Sequence, residues 1–152
     1  MTVDGISRTV SNFFFYALLD ESLAIKASAK AYKKCMKKID LKNTTDEYQA
    51  AIVHETYKVW SKYQKKLSEL NQNIGFEGNW ILPPHTDMGL WRQFLRDAEP
   101  EEFLAVLWSR VLKFPDERIS QGLGVTVGTV RHRTNRGLKK LGSMRVTVFY
   151  DE

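Results

Sequence analysis

The sequence predicts an all-α protein made of two small helical domains. Three observations carry that expectation. Apolar residues recur at steps of three and four through the long N-terminal stretches, the period of a helix with one buried face. A stretch rich in Asn, Gly and Pro, residues 71–85, interrupts that period. Beyond it, shorter helical patterns are grouped around a glycine turn. A length of 152 residues suits one compact domain or two small ones. The expected division is 1–73, 74–98 (a linker with a short helix) and 99–152.

The first helical stretch runs from about Val10 to Ile39. Ile25, Ala29, Tyr32, Met36 and Ile39 form its apolar stripe, and Lys26, Lys30, Lys33, Lys34, Lys37 and Lys38 lie off it. Leu19-Asp20-Glu21-Ser22 resembles a turn that breaks the stretch in two. After a polar connector, Thr44 or Thr45 caps a second helix reaching about Leu70. One of its stripes is Ile52, Thr56, Val59, Tyr63 and Leu70. A second is Val53, Tyr57, Trp60 and Leu67, and the first helix is the obvious partner for both.

Thr86-Asp87 then caps a short helix holding Leu90, Trp91, Phe94 and Leu95, ended by Glu99-Pro100. Glu102 to Leu112 is helical, with Phe103, Leu104, Leu107, Trp108 and Val111 inward. Pro115 opens a helix over Asp116 to Leu123, and its two acids suit the positive end of the helix dipole. Ile119 and Leu123 turn inward, and Ser120 is small enough for a close crossing. Gly124 fits a left-handed turn, Val125 plugs the core, and Thr126 caps a last helix to about Leu141. Val130, Thr134, Leu138 and Leu141 form its inner face. From Met144, Val146, Val148 and Tyr150 alternate like a short strand.

Composition narrows the function. Hydrophobic residues at 43% and charged residues at 27% exclude a disordered chain. The net charge of +5 is unevenly spread: residues 1–74 carry +4, 75–101 carry −3 and 102–152 carry +4. Residues 126–145 hold six basic side chains and no acid. One sign along a helix suits DNA, because each neutralised phosphate releases counterions. Cys35 is the single cysteine, so no internal disulfide forms, which leans towards a reducing cytoplasm. His54, His85 and His132 make no zinc pattern with it, and no metal or cofactor is expected. No phosphate loop or nucleophile arrangement points to an enzyme. The longest apolar run, Phe13 to Leu19, is far short of the ~20 residues that span a bilayer. The expectation is a cytoplasmic protein with no membrane partner.

Helix, short helix, Gly-apolar-Thr turn and basic helix together describe a helix-turn-helix. Glu101-Glu102-Phe103-Leu104-Ala105-Val106-Leu107 followed by Ile119 through Arg133 resembles region 4 of bacterial sigma-70-family factors, the extracytoplasmic-function type above all. The likeness covers about 45 residues. Ser120 stands where that family usually has alanine. Response-regulator effector domains share the unit and often end like Lys140-Leu141-Gly142. Leu18 to Ala24 and Ile52 to Trp60 are each similar to part of sigma region 2, and they cannot occupy the same place in it.

The resemblance implies that the C-terminal part reads a −35-type element in double-stranded DNA and the N-terminal part docks on core RNA polymerase. Arg131, His132 and Asn135 are then the base-edge candidates. Thr126, Thr129, Arg133 and Arg136 are phosphate candidates, and Lys139 and Lys140 add charge to the same helix. Lys26, Lys30, Lys33 and Lys37 are candidates for partner binding. Tyr57, Trp60 and Tyr63 fit either the core or stacking on flipped bases. Two alternatives stand beside this: a conventional helix-turn-helix regulator with an N-terminal dimerisation part, and a sigma mimic that binds an anti-sigma protein.

Overall fold

The computed structural model describes residues 3–39, 47–73 and 89–150, all of the regular structure there being helical. Among the described residues seven α-helices follow one another: α1 Val3–Leu18, α2 Glu21–Lys38, α3 Glu47–Asn73, α4 Gly89–Asp97, α5 Pro100–Val106, α6 Asp116–Leu123 and α7 Val127–Tyr150. A π-helical segment, Leu107–Val111, prolongs α5. None of these helices is long and apolar enough to cross a membrane. The expected caps at Thr44, Thr45 and Thr86-Asp87, His85, and most of the 71–85 connector lie outside the described residues.

The break expected near Asp20 is present, and the helix before it starts earlier than Val10. Leu19 takes a left-handed conformation (φ 52°), unusual for a branched side chain. Asp20 then caps α2, accepting the Leu23 N–H at 2.9 Å. The expected apolar stripe of α2 holds at Tyr32, Met36 and Ile39, which pack against the core, and is corrected at Ile25 and Ala29. Leu23, Ala24, Ala27, Ala31 and Cys35 are its buried face, whereas Ile25 is 62% exposed and Ala29 is also exposed. Small residues let α2 approach its neighbours closely, and that shape requirement outweighs the greater hydrophobicity of Ile25. Lys38, although still exposed, differs from the other lysines because it pairs with the buried Glu55 of α3 at 2.5 Å. Burial works to raise the Glu55 pKa, but Lys38, His54 and Lys58 outweigh it and hold the carboxyl below its ordinary value. Burial, with Glu55 nearby, pushes the Cys35 thiol up to about 12.

Along α3, Ile52, Val53, Thr56, Val59, Trp60 and Tyr63 are buried, and Tyr57 is the exception at 43% exposed. Burial of Trp60 and Tyr63 places them in the core and removes them from any base-stacking role. α4 stops at Asp97, just before Glu99-Pro100 as expected, and the same pair also begins α5. Glu99 is its N-cap, Pro100 fills the first turn, and the Glu102 carboxylate accepts the Glu99 N–H at 3.0 Å. Pro115 stands at the N-cap of α6. The alternating tail is a second correction. Residues 144–150 continue α7, so the strand pattern is overridden by propagation of a helix already formed.

The halves separated by the connector share one buried cluster. Phe13 of α1 stacks on Trp108 of the π segment, with centroids 5.5 Å apart. Trp108 donates its indole N–H to Thr56 Oγ1 of α3 at 3.2 Å. Trp60 meets Phe103 edge-on, and Trp91 donates to the Tyr16 carbonyl at 2.7 Å. On the other side α3 lies against α6. There Gly122 is essential to the fit, since a Cβ on it would sit 2.6 Å from the Ala50 carbonyl oxygen and the Val53 Cβ. His54 Nδ1 lies 3.3 Å from the Gly122 carbonyl at the same contact.

Candidate nucleic-acid interface

The turn between α6 and α7 is built by local chemistry. Gly124 ends α6 in the left-handed region (φ 70°, ψ 32°), which a residue with a Cβ adopts only at a cost. Its N–H and that of Val125 both reach the Ser120 carbonyl, at 2.9 and 3.2 Å. The Ser120 hydroxyl donates to the Val125 carbonyl at 2.6 Å. The serine that departs from the sigma-like pattern is therefore a second brace across the turn. Thr126 accepts the Thr129 N–H at 3.1 Å, and the two hydroxyls lie 2.8 Å apart. Thr126 is the cap of α7, and the Thr129 hydroxyl supports it.

From that cap the helix divides as its period requires. Val130 and Thr134 are buried, and Leu138 and Leu141 pack against the core. Arg131, His132, Asn135, Arg136 and Lys139 are exposed, while Arg133 and Lys140 are partly covered. The structure thus places the nine DNA-binding candidates around the outward side of the turn and α7, with Arg131 on the flank towards α6 and Arg133, Arg136 and Lys140 on the flank towards α5.

Acids from other helices interleave with this strip. Asp116 of α6 accepts from Arg131 Nε at 3.2 Å. Glu101 lies 3.6 Å from Arg133 Nε. Glu102, 4% exposed, takes Lys140 Nζ at 2.6 Å on one oxygen, and Arg136 Nε lies 3.1 Å from the other. Burial acts to raise the Glu102 pKa, but the bonds from Lys140 and the Glu99 amide and the charge of Arg136 prevail, holding it below the ordinary value. Arg136 and Lys140, expected only as DNA contacts, therefore also join α7 to α5. A groove of about 470 Å³, lined by Glu99, Glu101, Thr126, Gly128, His132 and Arg133 among others, separates the start of α5 from the start of α7. His132, Asn135 and Lys139 have no side-chain hydrogen bond or ion pair among the described residues.

The interleaved acids are what sequence reasoning missed. Asp116 is 15 positions from Arg131 and Glu102 is 38 from Lys140, so no local pattern announces them. The second candidate surface is simpler. Lys26, Lys30, Lys33 and Lys37 are exposed along one side of α2, with no ion pair among the described residues. No protein-family model, curated protein or solved structure matches the chain.

Proposed function

We propose that this chain is a sigma-like transcription factor, in which α6, the Gly124 turn and α7 form a helix-turn-helix that reads a −35-type element in double-stranded DNA. The arrangement that carries this is a braced turn presenting a capped helix with an apolar inner face and a cationic outer strip. The first turns of such a helix meet base edges, and flanking cations and hydroxyls meet phosphates. Arg131, His132 and Asn135 take the first part, and Thr126, Thr129, Arg133, Arg136, Lys139 and Lys140 the second. The lysine side of α2 docks on core RNA polymerase. The protein works in the cytoplasm, where both partners are found, and has no catalytic role.

Duplex binding measured over a salt series tests the first part. Affinity should fall steeply with salt, with a slope of about 0.9 per phosphate contact. Affinity independent of salt would remove DNA from the account and favour a sigma mimic that binds an anti-sigma protein. Co-purification with core RNA polymerase tests the second part. A conventional helix-turn-helix regulator is favoured by one observation: residues from both sides of the connector share one buried core with the inner face of α7. A palindromic site bound by a dimer, with no polymerase capture, would establish that alternative.

A further inference from the structure

We propose that Asp116 is a positioning residue that presents the Arg131 guanidinium end-on to a guanine, so that the preferred DNA site carries a G·C pair facing Arg131. This rests on the DNA-reading role of α7 proposed above.

The geometry is specific to the nitrogen engaged. Asp116 Oδ2 accepts from Arg131 Nε at 3.2 Å. No described residue engages the two terminal nitrogens of Arg131. Those two span O6 and N7 of guanine in the commonest arginine–base contact of the major groove. A guanidinium is a rigid planar fork, so anchoring Nε fixes where the other two donors point. The fork is open to solvent, with 61% of the Arg131 side chain exposed, while Asp116 is 27% exposed. Asp116 is itself held in place. It follows the Pro115 cap as the first residue of α6, where the helix end favours a carboxylate.

Other arginines on the strip are placed differently. Arg133 keeps a quarter of its side chain exposed. Arg136 lies more than a turn further along and shares Glu102 with Lys140. Arg131 alone combines an open fork, an oriented Nε and a place in the first turns of α7.

A carboxylate near DNA repels phosphate, which separates positioning from mere charge. An acid that only screens should, when removed, raise affinity for every duplex alike. An acid that orients a reader should, when removed, lower the preference for one base pair and spare general affinity. Glu117, in the same first turn, exposed and with no ion pair among the described residues, is the control.

The experiment selects the preferred duplex with the parent protein from a pool randomised over one helical turn. Its affinity is then compared with that of a mixed-sequence duplex for each variant. Glu117→Gln should leave the ratio of the two unchanged. Asp116→Asn should lower it about fivefold to tenfold, at the G·C position alone, while mixed-sequence affinity holds or rises. Asp116→Glu, which keeps the charge at the helix end but moves the carboxylate, should lower it too. Arg131→Ala should lose as much or more, and adding Asp116→Asn to it should cost nothing further.

An unchanged ratio in Asp116→Asn, or an equal fall in Glu117→Gln, would overturn the proposal and leave Asp116 as a helix-end charge. Salt-dependent binding with no sequence preference in the parent would overturn it while leaving DNA binding intact. Absence of any salt-dependent binding would remove both.

Discussion

The basic strip of α7 and the basic side of α2 look alike as sequence and differ as structure. On α7, arginines dominate, and carboxylates from α5 and α6 reach Arg131, Arg133, Arg136 and Lys140. On α2, lysines stand alone in solvent, and Lys38, at the edge of that side, is drawn instead to Glu55. A guanidinium held by an acid has a direction, whereas a solvated ammonium on a flexible stem has only a charge. A surface that must recognise geometry benefits from the first, and one that needs only attraction is served by the second. Neighbouring acids, rather than the count of cations, distinguish the two.

The largest expected effect comes from prying the body apart. Gly122→Val forces a branched side chain against Ala50 and Val53 and should cost about 3 kcal/mol or more, since overpacking at a tight crossing has no room to relax. The acid–arginine pairs lie within the C-terminal helices and do not involve α3. DNA preference should therefore survive at temperatures where the variant is folded, as melting followed by a binding assay would show. Loss of preference in the folded variant would mean that α3 helps to shape the strip.

Next comes the joint between α5 and α7. Glu102→Ala removes the hydrogen bond from Lys140, the ion pair with Arg136 and the acceptor for the Glu99 N–H, and should cost about 1.5–3 kcal/mol in urea unfolding, because the cations left behind still reach water. Its pKa is lowered by folding, so its stabilisation is complete above the ordinary value of 4.5 and is lost as pH falls through the lower folded value. Glu55 acts in the same direction. Parent stability should therefore decline below about pH 4.5, and Glu102→Gln should show a shallower decline. Equal slopes in the two proteins would place the acid sensitivity elsewhere.

The smallest effect on stability is expected on α2. Replacing Lys26, Lys30, Lys33 and Lys37 together by Glu should change unfolding by no more than about 0.5 kcal/mol per position. It should leave the slope of DNA affinity against salt unchanged and abolish capture of core RNA polymerase. Retained capture would return these lysines to a plain solvated surface. A shallower salt slope would instead put α2 on the DNA.

Local chemistry made much of the candidate interface legible. Gly124, Thr126 and the inward set Val130, Thr134, Leu138 and Leu141 follow from turn geometry, capping and helical period, all written within a few residues. The break at Asp20 was readable for the same reason. Where the reading went astray, a neighbour decided. Ile25 is more hydrophobic than Ala24, Ala27 or Ala31, yet helix spacing selects the small residues for the inside. Pro100 signals the end of α4 without saying that it also opens the next helix. The alternation of Val146, Val148 and Tyr150 is too short to overcome the helix behind it. Asp116 and Glu102 join the strip only when distant segments meet, so no reading of α7 alone could include them.

Cys35 gives the molecule a silent label. Fully buried and with its thiol pushed up to about 12, it presents almost no thiolate to a reagent at neutral pH. Modification therefore waits for α2 to lift away, and its rate counts those openings one by one. A thiol probe applied to the unaltered chain becomes a clock for the N-terminal half. Run with and without a duplex, it reports whether an event on α7 is felt on the opposite side of the shared core.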